Sequence, residues 1–335
     1  MEETDLARSL LALLEIKGVG PGAIKKKFAR IQASRSVAEI FDAMGSAVGD
    51  VDENGWKAQL SKAEQYLKRC ADVGIFAVPI GAPRYPDSLM ELSTSPAVLF
   101  CRGNLSLLDS PMLGVIGTRK ANPFGETVAG RIGRHFSEKN VPLCNGLADG
   151  IDICSVTHDD TFLPGVIGVM ACGLDILECN LTSKKIAERA RKLLEAGGLL
   201  VSEFVPGAAE DQNSVIASCR LQAGLSQVLL LVQSSSDGGS RFTAEHFAKL
   251  PRKLAFIVPP ETQSSDAAFG ANLLLLKGKE GLAEFVGLKT SKTLKADLLP
   301  IRSRDDYDGV LHSLGRTPAT FLWPAAGFVD TKIRS

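Results

Sequence analysis

The feature of this sequence that most restricts its fold is a regular alternation between residues 74 and 288. Short apolar runs, rich in β-branched residues, alternate with longer amphipathic stretches. Buried strands that alternate with helices form a parallel sheet with helices on both faces. The predicted strands are GIFAVPI, AVLFCRG, LGVIG, VPLCNG, VIGVMACG, LLVSE, QVLLLVQ and KLAFIVPP. We therefore predict an α/β fold built on a mostly parallel sheet.

The chain is expected to contain three regions. In residues 1–73, apolar residues recur at helical spacing, which predicts a small all-helical domain in front of the sheet. Residues 74–288 hold the α/β core, and residues 289–335 are predicted to be a linker and a small C-terminal tail. A chain of 335 residues with 45% hydrophobic and 23% charged residues can bury a core of this size.

The composition limits the partners and the location. The 38 basic and 38 acidic residues balance, so a polyanion has to be bound by a local basic patch rather than by the field of the whole molecule. The 7 cysteines show no CxxC spacing and are typical of reduced core thiols, while the 4 histidines lack ligand spacing, so no metal site is predicted. The chain start does not resemble a signal peptide, and no apolar run is long enough for a bilayer. We expect a cytoplasmic protein without a membrane partner.

Several predicted strands end in small polar or glycine-rich clusters. The carboxyl ends of parallel strands meet along one edge, where ligands bind, and the N–H groups of the following helix starts favour phosphate. The sequence therefore predicts a phosphate-binding cleft at this edge. Its candidate residues are Gly117, Thr118, Arg119, Lys120, Asn145, Gly146, Gly173, Gly239, Ser240, Arg241 and Thr243.

Arg119 is the most informative member of this set. It lies between the end of the strand LGVIG and Asn122-Pro123, which is typical of a helix start. A guanidinium group offers a planar fork that suits phosphate, and Lys120 adds a second point charge. The alternative is a surface arginine that pairs with a nearby acid.

The sequence predicts no catalytic residues and no cofactor. Neither GxGxxG nor GxxxxGK[ST] follows a strand, which argues against a dinucleotide enzyme and a P-loop ATPase. Asp152 and Glu203 lie near the predicted edge, but no nucleophile or set of metal ligands accompanies them. A carboxylate beside a phosphate site usually orients an arginine or caps a helix. We therefore interpret both carboxylates as structural and do not expect an enzyme.

The segment IKGVGPGAIKKKF, residues 16–28, resembles a helix-hairpin-helix motif. Its apolar residues would pack two helices, and its glycines would form the tight turn between them. Backbone amides in such a turn can hold a DNA phosphate without sequence preference. The predicted secondary DNA contacts are Gly18, Gly20, Lys25, Lys26 and Lys27. A purely structural hairpin is the alternative.

Nine segments between residues 84 and 282 resemble, in order, the landmarks of the DNA-processing protein A family, also called DprA or Smf. They are Tyr85-Pro86, SPAVLFCRGN, GVIGTRKANPFG, NGLADGID, GVIGVMACGLD, SEFVPG, RLQAGLS, GGSRFTA and FIVPP. The resemblance implies a Rossmann-like core and binding of single-stranded DNA. It also implies recombinase loading or DNA uptake and processing, a homodimer formed through the later part of the core, and a RecA-type recombinase as a further partner.

The chain departs from the family pattern at several positions of the predicted cleft. Asp149 stands where a basic residue is common, and Gln233 replaces a glutamate. Of an Arg-Asn-Arg segment only the second arginine remains, Arg220, which the resemblance adds to the phosphate-binding set. Arg241 replaces an apolar residue.

These observations support three functions in order of preference. The first is a single-stranded DNA-binding protein that contacts phosphates. The second is a nucleotide-sensing module that closes the same cleft around a small phosphorylated ligand. A hydrolase of nucleoside monophosphates ranks last, because the expected glycine-rich and acidic signature is missing.

Overall fold

The computed structural model describes residues 2–315, so the end of the predicted tail lies outside the described residues. The helices within this range are α1 (Glu3–Leu14), α2 (Pro21–Ala33), α3 (Val37–Met44), α4 (Glu53–Asp72), α5 (Asp87–Met90), α6 (Pro123–Glu138), α7 (Ile151–Val156), α8 (Lys184–Glu195), α9 (Gln212–Leu225), α10 (Arg241–Ala248), α11 (Gly270–Leu275), α12 (Lys279–Phe285) and α13 (Tyr307–Ser313).

The strands within the described residues are β1 (Ile75–Pro79), β2 (Val98–Gly103), β3 (Met112–Ile116), β4 (Leu143–Asn145), β5 (Thr157–His158), β6 (Thr161–Phe162), β7 (Val166–Val169), β8 (Leu199–Ser202), β9 (Ser226–Leu231), β10 (Lys253–Ile257) and β11 (Asp297–Ile301). Strands β5 and β6 form a separate short hairpin. The others form a 9-stranded sheet in the order β1-β2-β8-β7-β4-β3-β9-β10-β11.

This sheet confirms the predicted α/β class. All strands from β8 to β11 in the spatial order pair in parallel, whereas β2 is antiparallel to both β8 and β1. The apolar run of β3 is buried at every residue, as expected for a strand covered on both faces. The parallel strands therefore present their carboxyl ends along one edge.

The N-terminal helices pack against one side of this sheet. Helices α1 and α4 contact each other and β1. Leu10, Leu11 and Leu13 are fully buried in the same continuous core as the strands. Arg69, near the end of α4, forms an ion pair with Asp175 in the loop after β7. The helical region is thus fastened close to the carboxyl edge of the sheet.

The structure differs from the expectation for residues 289–335. The segment 297–301 is the edge strand β11, which pairs in parallel with β10, and α13 packs beside β9 and β10. The sequence did not indicate this strand because it is short and contains Pro300. An edge strand tolerates a proline, since the missing N–H then leaves no ladder bond unmade. The division into domains stays a prediction.

In residues 2–315, no helix is both long enough and apolar enough to cross a membrane.

Candidate functional site

The carboxyl ends of β3, β4, β7, β8 and β9, with the loops that follow them, form what we call the strand-end surface. Of the predicted residues, 117–120 follow β3, 145–146 end and follow β4, Gly173 follows β7, and 239–243 follow β9. Arg220 lies on α9, which packs across β3, β4, β7 and β9. The fold thus brings all the predicted phosphate-binding residues of the core to one region.

Backbone hydrogen bonds to Gln233 and Ile151 hold residues 117–122, which we call the Arg119 loop. The Thr118 amide donates to the carbonyl of Gln233 at 2.7 Å, and the Ile151 amide donates to the Thr118 carbonyl at 3.1 Å. A Cβ on Gly117 would lie 2.5 Å from Ile151 Cγ1, so only glycine fits there. The loop is consequently held close to the sheet.

The Arg119 loop carries two basic side chains. Arg119 and Lys120 are both exposed. Among the described residues, neither side chain has an ion pair or a hydrogen bond. The alternative that Arg119 pairs with a nearby acid is therefore not what the structure shows. A fixed backbone that carries two unpaired cations is suited to an external anion.

Gln233 holds both ends of the Arg119 loop. Its carbonyl accepts from Thr118, and its side-chain Oε1 accepts from the Asn122 amide at 3.0 Å. The side chain is fully buried, and a Cβ on Gly125 would come within 2.8 Å of its Cδ. Its Nε2 is buried without a hydrogen-bond partner among the described residues. Glutamine keeps the acceptor that a glutamate would supply, but places no negative charge under the loop.

Asn122 begins helix α6, as its sequence predicted. Its Oδ1 accepts from the Gly125 amide at 2.9 Å, and Pro123 occupies the first helical position. Its Nδ2 donates to Asp266 Oδ2 at 2.7 Å and to Gln263 Oε1 at 3.0 Å. The N-terminal end of α6, which favours negative charge, therefore lies directly after the Arg119 loop.

Asn145 has a different role from the predicted one. Its side chain is fully buried, and Nδ2 donates to the Asp152 carbonyl at 2.9 Å and to Ser155 Oγ at 3.1 Å. Its Oδ1 accepts from the Leu147 amide at 3.0 Å. The side chain thus shapes the loop after β4 and does not reach the surface.

The carboxylate of Asp152 occupies the amides that were predicted to hold phosphate in this loop. Its Oδ2 accepts from the Gly146 amide at 3.2 Å and from the Ala148 amide at 3.4 Å. Burial raises the pKa of Asp152 to about 6, against the opposing effects of these amides and of the Arg119 and Arg189 charges. The Asp152 carboxylate therefore takes the place that a phosphate would have at these two amides, which supports the structural interpretation of Asp152.

Gly173 also proves to be structural. It is buried, and its amide donates to the Ala208 carbonyl at 2.9 Å. A Cβ here would lie 2.7 Å from both Asp175 Oδ1 and the Val205 carbonyl oxygen. Glycine is required for close packing of two loops, and its amide is not open to a ligand.

Helix α8 compensates the negative charge of Asp149. Lys185 and Arg189 each form a 2.7 Å ion pair with Asp149, and Arg189 also donates to the Leu147 carbonyl at 2.8 Å. Hydrogen bonds from Lys185 and Arg189 lower the pKa of the Asp149 carboxyl. Lys185 and Arg189 are functional neighbours that the predicted set lacks, although two cations four residues apart on a helix present one charged face.

Arg220 is engaged in an ion pair with Glu203, the residue that follows β8. Side-chain exposure is 14% for Arg220 and 11% for Glu203. Burial raises the pKa of Glu203 against the opposing charge of Arg220. Nη1 of Arg220 and Oε1 of Glu203 are buried without further partners among the described residues. The guanidinium is thus directed inward, so Arg220 differs from Arg119 in being unavailable at the surface.

The loop between β9 and α10 supplies the remaining predicted residues. Ser240 Oγ donates to Ser234 Oγ at 2.7 Å, and Thr243 Oγ1 donates to Gln222 Oε1 at 3.4 Å, so both hydroxyls stabilise the loop. Gly239 is exposed, with open space where a Cβ would lie. Arg241 is exposed, and its guanidinium carbon lies 4.9 Å from the centroid of the Phe242 ring.

The segment 16–28 forms most of the turn after α1 and the first turns of α2. Ile16, Val19 and Ile24 are buried, as its pattern predicts. Gly18 adopts a φ of +88°, a backbone conformation that favours glycine. The amides of Gly18 and Gly20 have no hydrogen-bond partner among the described residues.

The three lysines of this segment are not equivalent. Lys25 Nζ donates to the carbonyl of Met90 at 2.7 Å and to that of Leu92, so it fastens α2 to the end of α5. Lys26 is exposed and Lys27 is half-buried. The structure therefore gives Lys25 a structural contact instead of the predicted DNA contact.

Gly150 offers a test of how the Arg119 loop is held. Its φ is +71°, and a Cβ would lie 2.7 Å from the Arg119 carbonyl carbon, so Gly150→Ala is expected to displace the loop. Amide exchange of residues 118–122 should accelerate, as measured by hydrogen–deuterium exchange. The matched control is Gly197→Ala, which has a φ of +77° and open space around the Cβ. Both variants carry a backbone cost of roughly 1–2 kcal/mol. Equal exchange in residues 118–122 of both variants would contradict the assigned contact.

The raised pKa of Asp152 should make the stability of the folded protein depend on pH. The folded pKa of about 6 exceeds the ordinary value of 3.8, so the folded state binds this proton more tightly. The resulting stabilisation is complete below about pH 4 and is lost as the pH rises through about 6. Urea unfolding measures the free energy of unfolding at each pH. Between pH 4 and pH 8, this free energy should fall by on the order of 3 kcal/mol more in the wild type than in Asp152→Asn. Asp72→Asn, at an exposed position, is the control. Parallel pH profiles for wild type and Asp152→Asn would refute the assignment.

Comparison with known proteins confirms the family that the sequence landmarks indicated. The DNA processing protein DprA of Bacillus subtilis is 28% identical over 199 residues, which are 59% of this chain and 65% of that protein. The DNA processing protein A of Streptococcus pneumoniae has the same fold, with a TM-score of 0.56 and 22% identity over 91% of this chain and 93% of that chain. The Helicobacter pylori DNA processing protein A, solved for its single-stranded DNA binding mode, gives a TM-score of 0.52 and 24% identity over 61% of this chain and 88% of that chain.

The family model for DNA recombination-mediator protein A matches residues 77–291, which is more than half of the sequence. The chain therefore belongs to the DNA recombination-mediator protein A family.

Proposed function

We propose that this protein binds single-stranded DNA through its phosphates at the strand-end surface. The observation that carries the proposal is the Arg119 loop, a hydrogen-bonded backbone segment beside the start of α6. Its two cations are exposed and form no ion pair in residues 2–315. A relative from Helicobacter pylori is described as binding single-stranded DNA, which supports the same ligand class here. Because the formal net charge of the chain is zero, a local patch of this kind has to supply the attraction.

The proposed contacts are fewer than those predicted from the sequence. Arg119, Lys120 and Arg241 supply the charges, and the open backbone at Gly239 allows close approach. The exposed amides near Gly18 and Gly20, with Lys26 and Lys27, remain secondary contacts in this proposal. The remaining predicted residues have structural contacts. Arg220 pairs with Glu203, and Lys25 fastens α2 to α5. The others shape the loops: Gly117, Thr118, Asn145, Gly146, Gly173, Ser240 and Thr243.

The proposal assigns no catalysis to this surface. The carboxylate of Asp152 is held by two backbone amides, and that of Glu203 is held by Arg220. Assistance to a RecA-type recombinase, a role in DNA uptake or processing, and a homodimer are parts of the proposal that follow from family membership. A cytoplasmic location belongs with them.

Reversal of the charge at Arg119 tests the proposed site. Arg119→Glu should weaken binding of an oligothymidylate by about 30-fold or more, because a charged hydrogen bond contributes about 2 kcal/mol and repulsion adds to its loss. The affinity of Arg119→Lys should lie between those of the wild type and Arg119→Glu, since lysine keeps the charge but loses the planar fork. Fluorescence anisotropy at several salt concentrations measures both affinity and salt dependence.

The matched control is Lys292→Glu, an equal charge change at an exposed residue far along the chain. It should leave affinity within about twofold of wild type, because distant exposed charges are screened by salt. Wild-type affinity in a folded Arg119→Glu variant would show that DNA binds elsewhere.

A small phosphorylated ligand is the alternative occupant of the same loop. A mononucleotide would make one phosphate contact, whereas a strand makes several and releases more counterions. Complete competition by a mononucleotide at a comparable concentration, together with a flat salt dependence, would favour the sensor.

A further inference from the structure

Phe242 is an aromatic residue that the core does not use. It lies in the first turn of α10 and is partly exposed. Three other apolar residues of the same helix, Ala244, Phe247 and Ala248, are buried in the continuous core, whereas Phe242 is not part of it. Phe242 is therefore an aromatic side chain that keeps part of its surface open to solvent in the loop region after β9.

The one ring contact of Phe242 among the described residues is with Arg241. The guanidinium carbon lies 4.9 Å from the ring centroid, which is within the range of a cation–π interaction. Arg241 is exposed and, in the described part of the chain, forms no ion pair. Phe124, by contrast, is stacked edge-to-face on Phe269 at 5.9 Å and is committed to the protein.

The Arg241–Phe242 pair and the Arg119 loop follow neighbouring strands of the sheet, β9 and β3. The loop that carries the pair begins after Gln233, whose carbonyl accepts the Thr118 amide at 2.7 Å. Strands β3 and β9 are neighbours in the sheet, so the two loops leave strand ends about 5 Å apart. Gly239, two residues before Arg241 in the same loop, is exposed and has open space where a Cβ would lie. A phosphate at Arg119 would therefore place an attached nucleotide near Phe242.

We infer that Arg241 and Phe242 form a stacking site for an unpaired nucleobase, an inference that rests on the proposed function. Every base has a flat π face, so an aromatic ring or a guanidinium plane accepts any of them. Bases in a duplex already stack on each other, and their faces are not accessible without unpairing. The pair would thus select single-stranded DNA over duplex, while the Arg119 loop provides affinity without that selection.

The test compares an oligothymidylate with an abasic oligomer of the same length and the same number of phosphates. The wild type should bind the oligothymidylate about tenfold more tightly. Phe242→Ala should abolish most of this preference and leave the salt dependence unchanged, whereas Phe242→Tyr should retain it. Arg119→Glu should weaken binding of both oligomers by similar factors. Phe76→Ala, at a 54% exposed aromatic residue on β1, is the matched control and should behave like wild type.

The outcomes separate this inference from the proposed function. Equal wild-type affinity for the two oligomers, or an unchanged preference in folded Phe242→Ala, would overturn the stacking site and leave phosphate binding at Arg119 standing. Failure of the wild type to bind either oligomer would overturn the proposed function and the stacking site with it.

Discussion

The candidate site depends on the way Gln233 holds the Arg119 loop. Its carbonyl and its side chain accept hydrogen bonds from the amides of Thr118 and Asn122, at the two ends of one turn. Gly117 and Gly125 leave room for this close approach. Because the backbone is fixed there, Arg119 and the N-terminal end of α6 keep their relative positions before any ligand arrives. Preorganisation of this kind lowers the conformational entropy lost on binding.

Ion pairs within the protein neutralise two acidic groups of the strand-end surface. Asp149 is neutralised by Lys185 and Arg189 of α8, and Glu203 is paired with Arg220. Asp152 remains as an internal anion whose proton affinity is raised by burial. These acidic groups would oppose a polyanion if they were free. Arg119, Lys120 and Arg241 are exposed at this surface and form no ion pair among the described residues.

The sequence predicted the sheet and the exposed arginine because both are local properties. Continuous apolar runs mark buried parallel strands, and Asn122-Pro123 marks a helix start wherever it occurs. The sequence could not predict which polar side chains are already bonded to other groups of the protein. Arg220 pairs with Glu203 on another element, and Lys25 bonds to carbonyls 65 and 67 residues away. Such contacts depend on how elements pack, and the local pattern around Arg220 or Lys25 does not show which distant group lies beside it.

The central claim is that a single strand of DNA lies on the Arg119 loop. Hydrogen–deuterium exchange of the full chain, with and without a saturating oligothymidylate, tests it most directly. We expect slower exchange at residues 117–125 and 236–243 in the complex, and little change along β1 and β2. Protection confined to residues 16–28, with unchanged exchange at residues 117–125, would contradict it.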